Sequence, residues 1–322
     1  MSRVLLGRLG QAALVVVLVV CTSFVLIRLA PGDPFAAIYQ SQEVPAPVRA
    51  QLRSSFGFDD PVPVQFARFV GNIARGEFGW SVTLSSPVSE VIGRALPNTL
   101  LLMGTAFFFG LLGGAALGAW QGWRPRSTLS RVTDRLGLLV LSVPEFVLAL
   151  LLMLGPALAW GLFPVAGMRQ EFGPGGFAGF VDLLHHLVLP AFALSLILMA
   201  VVARHQRAAM LGVRDAEFVR AARARGVPEN RVFVRHALRN ALVPVLTLTG
   251  VLLPALFGGA VLVEKIFAWP GMGTTTVDAV LSRDYHLVVG CVVVSSICVV
   301  IGTLLADLAV LWAEPRLRET QR

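Results

Sequence analysis

Two carboxylates, Glu145 and Asp307, stand inside long uncharged runs of this sequence, and two histidines, His185 and His186, stand side by side. A carboxylate at the centre of a membrane helix costs about 2.5–3.5 kcal/mol on insertion scales, so such a residue marks a proton, ion or solute path unless it reaches an interface. Asp307 is close enough to the end of its run to meet interfacial water or an arginine. Glu145 follows Pro144 near the middle of its run, where a freed backbone carbonyl and a water-filled path can coexist; with Ser142 it is a pathway candidate. The adjacent histidines point to different faces and lack a third ligand nearby, which reads as a solvated loop pair rather than a metal site. The only lysine is Lys265, so a GxxxxGK[ST] phosphate loop cannot be built, and neither GxSxG nor HExxH occurs. No catalytic residue, cofactor or metal is expected, and any ATP hydrolysis must take place on another polypeptide.

The charge of the chain is concentrated elsewhere. Between Arg204 and Asn240 stand nine arginines and three acidic residues, with apolar runs on both sides. The block is too ordered to be a tether. Ala and Arg at helix-favouring density lead to Gly226, a turn at Val227, Pro228 and Glu229, and a second helical stretch with Val232, Leu238 and Leu242 among its apolar positions. Small Ala221 and Ala222 would let the first helix lie close to a partner, Gly226 would relieve the backbone where the chain reverses, and Pro228 would open the second helix. The flanking arginines, Arg220, Arg223 and Arg235 among them, could pair with partner carboxylates.

What must hold this hairpin is a membrane. Hydrophobic residues make up 56% and charged residues 14% of the chain, and the mean hydropathy is +0.74, against roughly 25% charged in an average soluble domain. Hydrocarbon about 30 Å thick takes roughly 20 apolar residues per helix. Six segments qualify: 9–27, 100–119, 136–160, 187–203, 241–263 and 287–311. With both termini cytoplasmic, the inner pieces carry 18 of the 27 basic residues and six acidic ones, and the outer pieces nine basic and eleven acidic. This lopsided charge follows the positive-inside bias, places 204–240 in the cytoplasm, and leaves no basic surface free for nucleic acid. The alternative, a cleaved signal peptide, lacks a small-x-small site after the first apolar run, where RLAPGDP (28–34) stands instead. Cys21, Cys291 and Cys298 all fall inside proposed spans, which gives no disulfide framework.

Between the spans, 31–97 is the one sizeable polar region, expected on the outer face as short helices and turns. Shorter outer segments follow at 161–186 and 264–286. Gly110, Gly114 and Gly118 recur every four residues and leave one face of the second span bare, either as a seam against another helix of this or a partner subunit or because glycine is frequent in membrane helices. Pro144, Pro156, Pro190, Pro244 and Pro254 should kink the later helices or delay their start.

In the basic block, Ala221 and Ala222 are followed by Gly226, and Leu238 lies twelve residues further on. This resembles the Glu-Ala-Ala loop of ABC import permeases, and RAARARGVPENRVFVRHALRNALVP (220–244) is similar to its version in the dipeptide, oligopeptide and nickel branch. Further landmarks are RLAPGDP (28–34), LPNTL (96–100), SVPEF (142–146), VEKIFAWPGMG (263–273), RDY (283–285) and EPRLR (314–318). Arg220 stands where the generic pattern has Glu, and Arg239 where it has Pro.

The resemblance implies an all-α integral membrane protein of six transmembrane helices with the type I importer permease fold. It implies an N-terminal helix plus extracytoplasmic segment (1–95), a permease domain (96–312) containing the coupling loop 204–240, and a cytoplasmic tail (313–322). The loop, with Arg220, Ala221, Ala222, Arg223, Gly226, Val227, Pro228, Glu229, Arg235 and Leu238, would fit a cleft on an ATP-binding subunit. Implied partners are a homologous second permease, two ATP-binding subunits, an extracytoplasmic solute-binding protein and the lipid bilayer of the inner or plasma membrane. Implied cargo is a di- or oligopeptide, with nickel or another small solute as the alternative. From the residues alone, an ion-driven carrier using Glu145 and a scaffold without a pathway also remain; no internal repeat supports the former.

Overall fold

The computed structural model describes residues 2–29, 61–170, 173 and 175–313. The turn at 31–34, the polar stretch up to Asp60 and the EPRLR tail lie outside the described residues. In chain order the elements are α1 (Ser2–Leu29), α2 (Val62–Ala74), a two-stranded antiparallel hairpin β1 (Trp80–Ser81) and β2 (Ser86–Pro87), α3 (Val88–Trp123), α4 (Thr128–Ser142) and α5 (Glu145–Leu152), which runs on as a π-helical stretch (Met153–Ala159). Then come α6 (Gly176–Arg214), α7 (Glu217–Ala224), α8 (Glu229–Ala241, π-helical over Val232–Leu238), α9 (Val243–Ile266), α10 (Met272–Leu281) and α11 (Tyr285–Ala313).

Among the described residues four helices are long and apolar enough to cross a bilayer by themselves, with spans at Gly7–Leu26, Val88–Trp123, Gly176–Arg214 and Tyr285–Leu308; counting each of two bent pairs as one span gives up to six. At 1.5 Å per residue, α3 with 36 residues and α6 with 39 run about 54 and 58 Å, well beyond the hydrocarbon. Their ends therefore carry the polar elements on either side.

The bent pairs revise the third and fifth expected spans. In place of one helix over 136–160, α4 and α5 meet at 108°. Pro144 has no N–H to donate and disfavours helical backbone at the residue before it; Val143 accordingly adopts ψ 128° and Pro144 ψ 141°. At Leu242 the chain bends by 45°, with Pro244 in the first turn of α9. Pro190 and Pro254 lie inside α6 and α9, which continue through them. Helix α6 begins at Gly176, eleven residues before the expected span: Phe177, Phe180, Val181 and Leu184 are exposed apolar positions on it, and their helical periodicity was masked by neighbouring Gly and Pro. His185 and His186 thus sit on a helix, not in a solvated loop. His186 is buried, with Nδ1 2.9 Å from the Asp182 carbonyl oxygen, and His185 Nε2 is 2.9 Å from that of Leu162.

Two compact units emerge. The first takes residues 1–99 and 270–300. Its core joins Val88, Val91, Ile92 and Ala95 of α3 to Met272 and Ala279 of α10 and Leu287 and Cys291 of α11. Buried Asp284 accepts the Ser81 hydroxyl at 2.6 Å and the Thr83 amide at 3.1 Å, and caps α11 at the Leu287 amide; one carboxylate thereby satisfies a strand hairpin and a helix start together. The second unit takes residues 100–269 and 301–322. Here α6 is the most buried of the spanning helices and packs against α4, α5 and α9. Its apolar core includes Leu102, Ala106, Leu194, Leu198, Val202, Val263 and Trp269.

Candidate functional site

The basic block folds as a helix, a turn and a second helix. Gly226 adopts φ +73°, a left-handed conformation in which a side chain strains the backbone although a Cβ there would meet open space. Its amide closes on the Arg223 carbonyl and that of Val227 on the Ala222 carbonyl, so α7 ends in a bonded turn. Pro228, with φ −57°, stands at the start of α8, where a missing N–H costs nothing.

The hairpin has its own apolar core. Val219, Ala222, Val232, Ala237 and Ala241 are fully buried together with Ala119 at the end of α3 and Met210 near the end of α6. The alanine pair is thereby divided. Ala221 is exposed on the outward face, while Ala222 packs inward and is not available to a partner. Arg220, Pro228, Glu229 and Arg235 are exposed, and Val227 and Leu238 half-buried.

Arg223 is likewise spent internally. Its Nη2 donates to Glu229 Oε1 at 2.8 Å and its Nε to Oε2 at 3.2 Å, and the guanidinium lies 5.0 Å from the Trp123 ring centroid. The fork clamps the first turn of α8 to α7, and the cation–π contact ties both to the end of α3. The hydrogen bond with Glu229 raises the Arg223 pKa, and its counterpart lowers that of Glu229. What the pair contributes is therefore present above the ordinary carboxylate range and lost as pH falls through the lowered Glu229 value; as a partly exposed pair it contributes below about 1 kcal/mol. Sequence reasoning missed this brace, though the spacing of Arg223 and Glu229 across a Gly-Val-Pro turn was a usable signal.

At the other candidate position, Ser142 is exposed as the last residue of α4, its hydroxyl donating to the Leu138 carbonyl at 2.9 Å. Glu145 is half-buried as the first residue of α5, where the helix N-terminus favours a carboxylate. The two residues thus flank the 108° break. Among the described residues no group of three His, Cys, Asp or Glu could hold a metal ion.

Gly110, Gly114 and Gly118 of α3 face α6. A Cβ at Gly110 would lie 2.7 Å from Leu198 Cδ2, one at Gly114 2.7 Å from the Met199 carbonyl oxygen, and one at Gly118 would overlap the Ala203 carbonyl oxygen. Gly122, 2.8 Å from the Arg207 carbonyl oxygen by the same construction, extends the row by one turn. Backbones this close need the missing side chains.

Long apolar helices, a sharp break within one apolar span and a basic hairpin seated on the helix ends define a polytopic membrane protein of the transporter type. Comparison with known proteins gives the family. A model described as binding-protein-dependent transport system inner membrane component matches residues 110–319, and one for the N-terminal part of such components matches residues 1–103. The chain belongs to this family and has the type I importer permease fold. It is 38% identical over 299 residues to the oligopeptide transport system permease protein AppB of Bacillus subtilis, covering 92% of each chain. It is 35% identical over 319 residues to the glutathione transport system permease protein GsiC of Salmonella paratyphi A, covering 98% of this chain and 97% of that one. Among solved structures, a chain of the MetNI methionine ABC transporter in inward-facing form superposes with a TM-score of 0.56 at 18% identity, covering 70% of this chain and 96% of that one; this likeness concerns the fold alone. The protein is accordingly a multi-pass inner-membrane component of an ABC importer, a class that works with ATPase and substrate-binding partners.

Proposed function

We propose that this subunit forms half of the membrane pathway of an importer for di- and oligopeptides. The relatives are permeases for oligopeptides and for glutathione, itself a tripeptide. The other half is a homologous second permease, ATP is hydrolysed by two ATP-binding subunits, and an extracytoplasmic binding protein delivers the cargo. Both termini lie in the cytoplasm, the permease domain occupies 96–312 between an N-terminal piece (1–95) and a tail (313–322), and the chain catalyses no reaction. The observation that carries the reading is the hairpin: its inward face shares a core with Ala119 and Met210 on two long helices, while Arg220, Ala221, Arg225, Arg231, Val234 and Arg235 face outward. A partner gripping that face in two states would move α3, α6 and α9 with it. Ser142 and Glu145, at the break in the third span, line the pathway.

Purification of the tagged chain in mild detergent, with its companions identified by mass spectrometry and the complex reconstituted in vesicles, tests this. The expected result is copurification of a homologous permease and ATP-binding subunits, with ATP-dependent peptide uptake that uncouplers leave unchanged. Transport by this chain alone, abolished by uncouplers and by Glu145→Gln, would establish an ion-driven carrier instead.

A further inference from the structure

Between α3, α4 and α6 the second unit holds a small open cavity of about 140 Å³, room for a headgroup and not for a whole lipid. Its lining changes character along its length. One end is polar: Gln121, Thr133, Asp134, Arg204 and Arg207. The other is apolar, with Leu117, Leu138 and Leu141. Arg207 Nη1 donates to Asp134 Oδ2 at 2.8 Å, and Gln121 Nε2 donates to Thr133 Oγ1 at 3.0 Å, so the polar end is pre-organised. Its balance is nevertheless cationic, with two guanidinium groups against one carboxylate. The Arg207 Nε is enclosed and meets no protein acceptor, and Arg204 is exposed.

The surroundings favour an amphiphile. On α4, Leu129, Val132, Leu136 and Leu139 are 60, 45, 53 and 63% exposed; their spacing sets them on one helix face, which a bilayer would cover. Arg131 and Arg135, both exposed, flank the polar end on the same helix. Basic pockets between membrane helices attract anionic headgroups. An apolar solute would leave the guanidinium groups desolvated, and a free anion would leave the leucine end unused.

We propose that this cavity seats the headgroup of one anionic phospholipid, its phosphate between Arg204 and Arg207 and its acyl chains leaving over the exposed Leu138 and Leu141. Assigning that lipid to the inner leaflet rests on the orientation given under the proposed function; the choice of ligand does not. Asp134 limits the affinity by competing for Arg207.

The test is lipid retention by the full chain in detergent, read by native mass spectrometry during titration with phosphatidylglycerol or phosphatidylcholine. Phosphatidylglycerol should be retained about fivefold better, on the scale of one basic residue at an anionic surface. Arg204→Gln, at an exposed position, should erase that preference. Asp134→Asn should move it the other way. Equal retention of the two lipids, or a preference that both variants leave unchanged, overturns the proposal. Displacement of the lipid by millimolar glycerol 3-phosphate would assign a soluble anion instead and also overturn it. Because the readout is lipid binding, failure of the transport reading leaves the result interpretable.

Discussion

Gly118→Leu is expected to prevent accumulation of folded protein, the largest single loss at any glycine of α3. A Cβ at that position overlaps the Ala203 carbonyl oxygen and lies 2.8 Å from Ala203 Cα and Gln206 Cβ; backbone atoms of α6 cannot swing aside as a side chain can. Overpacking usually costs about 1–3 kcal/mol and more where the backbone must part, so a loss above about 3 kcal/mol follows for leucine. The effects should be graded. Gly114, facing the Met199 carbonyl and Val202, comes next, and Gly110, facing only the Leu198 side chain, is milder. Gly104 meets nothing within 4 Å and should accept leucine almost freely. The yield of folded protein from the four leucine variants, with thermal unfolding in detergent of those that accumulate, checks the order; equal tolerance at Gly104 and Gly118 would refute the close approach.

The second large effect separates the alanine pair of the hairpin. Ala222→Asp places a carboxylate among Val219, Val232 and Met210, all fully buried. A desolvated, unpaired charge there costs several kcal/mol, so the hairpin should open, with loss of both stability and uptake. Ala221→Asp alters only the exposed face. That protein should remain as stable as the parent and still lose ATP-driven uptake, because an acidic group now stands among the arginines offered to the partner. Paired measurements of melting temperature and uptake decide the matter. If Ala221→Asp transports normally, the outward face is not where force enters.

Much of this arrangement was legible in the sequence, and the reasons differ by element. Membrane helices announce themselves through composition, since hydrocarbon leaves the backbone no alternative partner. The helix–turn–helix at 217–241 was readable because glycine and proline punctuate it where helices end and begin. Geometry around Pro144 was readable only in part: proline predicts a break, but the 108° angle depends on how α4 and α5 pack against α6. The early start of α6 at Gly176 was hidden by a segment rich in Gly and Pro, and Gly122 was hidden because it falls outside the apolar run that bounded the second span. The inward packing of Ala222 was not readable, and for Arg223 only its spacing to Glu229 hinted at a role. Whether an arginine or alanine of a short amphipathic helix turns in or out depends on what lies beneath, here Trp123, Ala119 and Met210 from distant parts of the chain.

The central claim is that the outward face of the hairpin is held in the cytoplasm by an ATP-binding partner. It is tested most directly by Ala221→Cys in a background from which Cys21, Cys291 and Cys298 have been removed. A membrane-impermeant maleimide should leave intact cells unlabelled and label inside-out vesicles, and a short bifunctional reagent should join the cysteine to the ATP-binding subunit. Labelling of intact cells from the outside would contradict the account.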